Sequence, residues 1–224
     1  MMTSCLEDNI KNLENSIKKL AMACIAHPVA IKAMPIVTSS TPYGAEELIV
    51  KKAVDKRRNE FFCGRHLLRS LLSTYNFPNC AILRGQLGQP LLPDAFIGSI
   101  SHDESTVAGI LMPKGLSIQA VGIDLIGPSS RIGENLMPSI SSMEEMNGLF
   151  AIEVACPLRI IFSIKESVVK ILSPLLQKYI DLQDIMLAHN DQQIIATYRH
   201  KPEWVIRTNW AETEGFIVSL AVLT

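Results

Sequence analysis

Long apolar runs are missing from this 224-residue chain. No segment reaches the roughly 18 uninterrupted apolar residues of a membrane span, and we read a soluble protein. The stretch KKLAMACIAHPVAIKAMPIV has the basic start and apolar middle of a weak secretory signal, but His27, Pro28 and Lys32 interrupt it. Excess charge of either sign is also absent. Lys and Arg number 21 against 22 Asp and Glu, so nothing global attracts nucleic acid or an anionic membrane. Cysteine is sparse: Cys5, Cys24, Cys63, Cys80 and Cys156 are odd in number, scattered, and form no CxxC. That argues against a disulfide framework and a zinc site, and fits a reducing cytosol. There is no GxSxG elbow to support a hydrolase, and no repeat or low-complexity linker.

What is present is enough apolar material for a core. At 48% hydrophobic residues the chain can bury one large domain or two small ones. Residues 45–75 carry apolar positions at helical spacing and stop at NFPN. A Gly/Pro-punctuated loop, RGQLGQPLLPDAF, follows. FIGSIS, TVAGILM and IQAVGIDLI read as strands. SISSMEEM sets serines three residues ahead of glutamates, a capping signature for another helix. Pro157 suits the first turn of a long helix. IDLQDIML, QQIIATY, EWVIRTNW and GFIVSLAVL close the chain as strand-like runs. The mixed order predicts an α+β fold.

Three stretches place polar groups inside apolar surroundings. GSISH ends a strand on Ser101 and His102. VGIDLI leaves one carboxylate, Asp124, among valine, isoleucine and leucine. FSIKESVVK interrupts an apolar helix with Lys165, Glu166 and Lys170. Glu166 and Lys170 share a helix face, and such a pair ordinarily sits in water contributing a few tenths of a kcal/mol. Taken together the residues say more. Asp124 and Glu166 can hold one hard cation through oxygen, as Mg²⁺ sites with phosphate substrates do. His102 and Lys170 can bind phosphate oxygens beside it. These are parts for attack on a pyrophosphate.

With KRRNEFFCGR, GQPLLPDAFIGSISH, VGID and FSIKESVVK in this order, the sequence resembles the 4′-phosphopantetheinyl transferases, in particular the enterobactin synthase component D branch, over roughly residues 50–224. The resemblance implies a cytoplasmic monomer of two similar α+β halves related by a pseudo-twofold, residues 1–115 and 116–224, with coenzyme A in the cleft between them. It implies transfer of phosphopantetheine to a serine of an apo carrier protein of siderophore, peptide or polyketide synthesis, releasing adenosine 3′,5′-bisphosphate. It makes Asp124 and Glu166 ligands of Mg²⁺, sets His102 and Lys170 at the phosphates with Gln89 and Pro90 by the nucleotide, and counts Ser101 among the coenzyme A-binding residues. Glu166 and Lys170 are then the catalytic pair. Arg65, helped by Arg57 or Arg58, is expected at the 3′-phosphate.

Two departures stand out. Many relatives carry a third carboxylate two positions after the aspartate, where this chain has Ile126. We expect Asp103 to reach the metal and partly replace it, against the alternative of a turn aspartate in HDES. The branch also reads R-Q-P-x-W-P where Gly88-Gln89-Pro90-Leu91-Leu92-Pro93 stands here. Ile126 is also the feature that favours the competing reading, a degenerate coenzyme A- or carrier-binding module without turnover.

Overall fold

The computed structural model describes residues 2–37, 43–115, 117–149, 156–190 and 193–224. The chain opens on helix α1 (Met2–Cys24), to which the sequence reading assigned no element. Leu13, Ile17, Leu20, Ala21 and Cys24 recur at helical spacing and are all buried. Strand β1 (Ala30–Pro35) follows, then α2 (Gly44–Ile49), α3 (Asp55–Ser73), β2 (Phe96–His102) and β3 (Thr106–Pro113). β4 (Ala120–Ile126), α4 (Met137–Ile140), α5 (Met143–Leu149) and α6 (Pro157–Leu176) continue the chain. β5 (Ile185–Asn190), β6 (Gln193–Tyr198), β7 (Lys201–Thr213) and β8 (Phe216–Leu223) complete it. The α+β class is the one expected.

Two antiparallel sheets result, β1-β3-β2 and β4-β8-β7-β6-β5. α1 packs against β1, β7 and β8 and so covers both. Alternation along the strands assigns the faces. Val121, Ile123 and Leu125 of β4 join α1, with Ile110, Met112, Val218 and Leu220, in one core. On the opposite face α3 packs Leu67, Leu68 and Leu71 against Val107 and Leu111. There α6 packs Ile160, Ile164, Val168 and Ile171 against Ile126, Ile217 and Ala221. The helices α3 and α6 therefore flank a seam at which edge strand β2 meets edge strand β4. The expected division between residues 115 and 116 falls at Leu116, outside the described residues.

No backbone ladder crosses that seam. Two serine hydroxyls do the bonding instead. Ser99 Oγ accepts from the Ile123 amide at 3.2 Å, and Ser101 Oγ accepts from the Leu125 amide at 3.1 Å. Amides that would otherwise be unpaired on a buried edge are thereby satisfied.

Two expectations need correction. The helix expected over 45–75 is two helices, α2 and α3, with a turn between them. A straight helix would hold Glu46 and Arg69 about 34 Å apart at 1.5 Å per residue. The break folds Glu46, fully buried, back onto Arg69 at 2.5 Å, where its Oε1 also accepts from the Ile82 amide at 2.8 Å. IDLQDIML is a strand only from Ile185, because the Asp181 carboxylate accepts from the Gln183 amide and winds residues 182–184 into a 3₁₀ turn. The stretch set aside as too interrupted for a signal carries the end of α1 and the strand at Ala30–Pro35. Of the two candidate capping serines Ser142 behaves as expected, its Oγ accepting from the Glu145 amide at 3.0 Å, while Ser141 Oγ donates to Glu145 Oε2 at 2.6 Å.

Removing one member of a buried ion pair strands the other charge. Arg69→Met is therefore expected to cost about 3–5 kcal/mol in denaturant unfolding. Adding Glu46→Gln, which keeps an acceptor for the Ile82 amide, should recover most of that loss. A small effect of Arg69→Met alone would contradict the pairing.

Candidate active site

A cleft of about 1300 Å³ runs along the seam between α3 and α6. That is ample for a coenzyme-sized ligand. Arg57, Arg65, Gln89, Pro90, Ser101, His102, Asp103, Asp124, Glu166 and Lys170 all line it. Of the expected site residues, Arg58 does not.

The catalytic wall depends on how closely α6 approaches β4. At Gly122, the glycine of VGID, a Cβ would sit 1.9 Å from the Ser167 carbonyl oxygen. Only glycine permits that contact. It lays the α6 backbone on β4, so that Asp124, two residues further on the same face, meets the side chains of α6. The Lys170 ammonium donates to Asp124 Oδ1 at 2.7 Å, to Ser101 Oγ at 2.8 Å and to the Ile123 carbonyl at 2.9 Å. Its three N–H groups are all used. This is no solvated surface pair, since the Asp124 side chain is 10% exposed.

Glu166 lies half-buried beside this group. Burial, and then the negative charge of Asp124, push its carboxyl above the ordinary value of 4.5; Lys170 pulls the other way. Asp124, buried, and Glu166, half-buried, share one ammonium, which leaves this wall short of positive charge. Among the described residues no three His, Cys, Asp or Glu side chains come together as a ligand set. The donor set is the Asp124 and Glu166 carboxylates, which could hold a hard cation only with substrate oxygens and water completing its ligands. It does not fit a cage made by the protein alone. Asp103 sits in the HDES turn. Its Oδ1 accepts from the amides of Ser105 at 2.8 Å and Thr106 at 2.6 Å. Its Oδ2 lies so close to Gly127 that a Cβ there would stand 1.9 Å from it.

The facing wall comes from α3 and the loop after it. His102 Nε2 lies 3.2 Å from Arg57 Nη1, while its Nδ1 lies 3.2 Å from the Asp103 carbonyl. An arginine can only donate, so these partners fit the tautomer with the proton on Nδ1. Glu60, which the sequence reading did not single out, holds Arg57 at 3.0 Å. Arg65 is buried. Its Nε donates to the Ile82 carbonyl at 2.7 Å, and its guanidinium lies 4.3 Å over the Phe61 ring. Burial lowers its pKa to about 10, despite the opposing charge of Glu46. Arg84, another residue the sequence reading passed over, is a further exposed cation on this wall beside the exposed Arg57. Its guanidinium stands over Gly88, where a Cβ would lie 3.5 Å from Nη2.

Lys165 points away from the cleft. Its ammonium is buried and donates to the Ile140 carbonyl at 2.8 Å and Glu145 Oε2 at 2.7 Å, tying α6 to α4 and α5. Burial lowers its pKa.

The raised Glu166 pKa has a consequence for stability. Above 4.5 the unfolded chain releases this proton while the folded chain keeps it. The folded state then binds more protons, so this group's contribution falls as pH rises from 4.5 through the folded value. In buffer containing a chelator, Glu166→Gln should flatten that part of the melting temperature against pH. It should melt at or above the wild type at neutral pH. A lower melting temperature there would contradict the burial of a charge at Glu166.

Comparison with known proteins agrees with this geometry. The model of the 4′-phosphopantetheinyl transferase N-terminal domain matches residues 45–111, and that of the 4′-phosphopantetheinyl transferase superfamily matches residues 120–221. 4′-phosphopantetheinyl transferase Npt of Nocardia iowensis is 29% identical over 161 residues, 71% of this chain and 68% of its own. 4′-phosphopantetheinyl transferase PptT of Mycobacterium tuberculosis is 26% identical over 198 residues, 82% of this chain and 86% of its own. Enterobactin synthase component D of Salmonella typhimurium is 28% identical over 183 residues, 76% of this chain and 74% of its own. The two models meet at the seam that forms the cleft and between them cover most of the chain, which belongs to the 4′-phosphopantetheinyl transferase superfamily.

Proposed function

We infer that the cleft is where this transferase moves phosphopantetheine from coenzyme A to a serine hydroxyl of an apo carrier protein, releasing adenosine 3′,5′-bisphosphate. The serine oxygen forms a bond to the β-phosphorus of the pyrophosphate, the one that carries the pantetheine. The bond from that phosphorus to the bridging oxygen breaks, and the hydroxyl proton passes to a base. The observation that carries the site reading is the meeting of Glu166, with its raised pKa, and the Asp124–Lys170 pair on one wall of a coenzyme-sized cleft.

A carboxylate with an elevated pKa is a better proton acceptor near neutrality than an ordinary one. Glu166 takes the serine proton, directly or through water. The Lys170 ammonium, fixed by three acceptors, opposes the negative charge that grows on the departing oxygens. Asp124 and Glu166 would hold Mg²⁺, which supplies charge neutralisation at the phosphates when bound. We assign the phosphates to His102 and Arg57, the nucleotide to Gln89 and Pro90, and the 3′-phosphate to Arg84 and Arg57 with Arg65 behind them. The carrier is assigned to siderophore, peptide or polyketide assembly; the Salmonella relative is named as a component of enterobactin synthase. We assign the chain to the cytoplasm as a monomer. No described helix is long and apolar enough to cross a membrane.

Incubation with coenzyme A, Mg²⁺ and a panel of apo carrier proteins should add the mass of one phosphopantetheine to the true partner. Binding without transfer would favour the degenerate module. Glu166→Gln keeps size and hydrogen bonding and should abolish transfer in a folded protein. Lys170→Ala should lower kcat by about a hundredfold or more, because the charge it opposes is greatest in the transition state. A Lys170→Ala enzyme with unchanged kcat would remove lysine from the chemistry.

A further inference from the structure

Ser99 and Ser101 perform the same structural task at the seam but differ in what else they touch. Ser99 Oγ accepts from the Ile123 amide. Ser101 Oγ accepts from the Leu125 amide at 3.1 Å and from the Lys170 ammonium at 2.8 Å, and donates to Asp124 Oδ1 at 3.0 Å. A hydroxyl has one donor and two acceptor sites. All three of Ser101's are filled by protein groups, and the residue is 6% exposed. Nothing remains on the oxygen for a phosphate, although the family resemblance counts Ser101 among the coenzyme A-binding residues.

We propose that Ser101 is a positioning residue for the transfer reaction. Its hydroxyl holds the Lys170 ammonium and the Asp124 carboxylate in fixed geometry across the seam, and it takes no direct part in binding coenzyme A. The inference rests on the transferase reading of the cleft. A lysine ammonium is a mobile charge on a four-carbon stem, and it stays in place only where its acceptors are fixed. Lys170 enters from α6, and two of its acceptors belong to β4. The third, Ser101, is the one supplied by the other sheet. It therefore sets the ammonium relative to the phosphate-facing wall of His102 and Arg57, which follows from β2 and α3. A hydroxyl is required because the same atom must accept from an ammonium and an amide while donating to a carboxylate.

The test compares Ser101→Ala with Ser99→Ala under saturating coenzyme A and carrier. Both variants leave one β4 amide unpaired, so both should lower the melting temperature. Ser101→Ala should lower kcat by roughly ten- to a hundredfold, the scale of a displaced catalytic group, with KM for coenzyme A within about twofold of the wild type. Ser99→Ala should leave kcat within about twofold. A raised KM with intact kcat in Ser101→Ala would make Ser101 a substrate contact and overturn the proposal. Equal losses of kcat in the two variants would make both serines merely structural and overturn it too. Should Ser101→Ala not fold, Ser101→Thr and Ser101→Val, alike in shape, carry the comparison. The hydroxyl-bearing variant should turn over at least about tenfold faster, and equal rates would overturn the proposal. Absence of transfer by the wild type with every apo carrier would overturn the transferase reading and this inference together. An active wild type with a contrary serine result would overturn only the latter.

Discussion

β2 and β4 lie side by side without a backbone ladder, and the rest of the site depends on how that edge is closed. A buried strand edge with unpaired amides is unstable unless something bonds to it. Ser99 and Ser101 supply oxygen to the Ile123 and Leu125 amides. Because the bonding runs through side chains, it leaves a furrow above the seam that a backbone ladder would have sealed. α1 closes the opposite face, packing on both sheets. The cleft is thus a consequence of joining two sheets by hydroxyls on one face and by a helix on the other.

The chemistry follows from placing charge in that furrow. Asp124 sits on the cleft side of β4 because the strand alternates, and Gly122 lets α6 approach near enough for Lys170 to reach it. Glu166 is then pressed against a second carboxylate in a desolvated position, and its proton affinity rises. That charge is costly to the free protein and useful to a reaction that needs a base beside a polyanion. The substitution at Ile126 fits the same frame. The side chain that in many relatives would add a third carboxylate is packed among Ile160, Ile161, Ile217 and their neighbours. In the function proposed for the cleft, Asp124 and Glu166 would hold the cation, and phosphate and water would supply its other ligands.

The parts of this arrangement that the sequence displays are those that break a local pattern. Asp124 in an apolar strand, and Glu166 with Lys170 in an apolar helix, are conspicuous for that reason, and the family motifs gather them. The strands β2, β3 and β8 are legible from β-branched runs. Other features depend on partners far along the chain. Nothing local marks Glu46 as the mate of Arg69, so the break between α2 and α3 is hidden inside a continuous helical pattern. Arg84 looks like any basic loop residue until the turn at Gly88 brings it over the cleft. Ser101 reads as a coenzyme A-binding residue from its motif, and its three protein partners emerge only when α6 and β4 are in place. α1 does carry its buried residues at helical spacing, but lysines and an apolar middle give the same stretch the look of a leader. Lys165 stands between Ser163 and Glu166 in the motif, yet helical rotation turns it to the other side, against Glu145.

Amide hydrogen exchange at Ile123 and Leu125 tests the central claim, that serine hydroxyls hold the two sheets together and so form the site. Both amides belong to an edge strand of their own sheet and have no backbone acceptor across the seam. The account predicts that they exchange as slowly as the amides of β4 bonded into the β8 ladder. It also predicts that Ser99→Ala releases Ile123 while Ser101→Ala releases Leu125. Rapid exchange of both amides in the wild-type protein, at rates typical of an open edge strand, would contradict it.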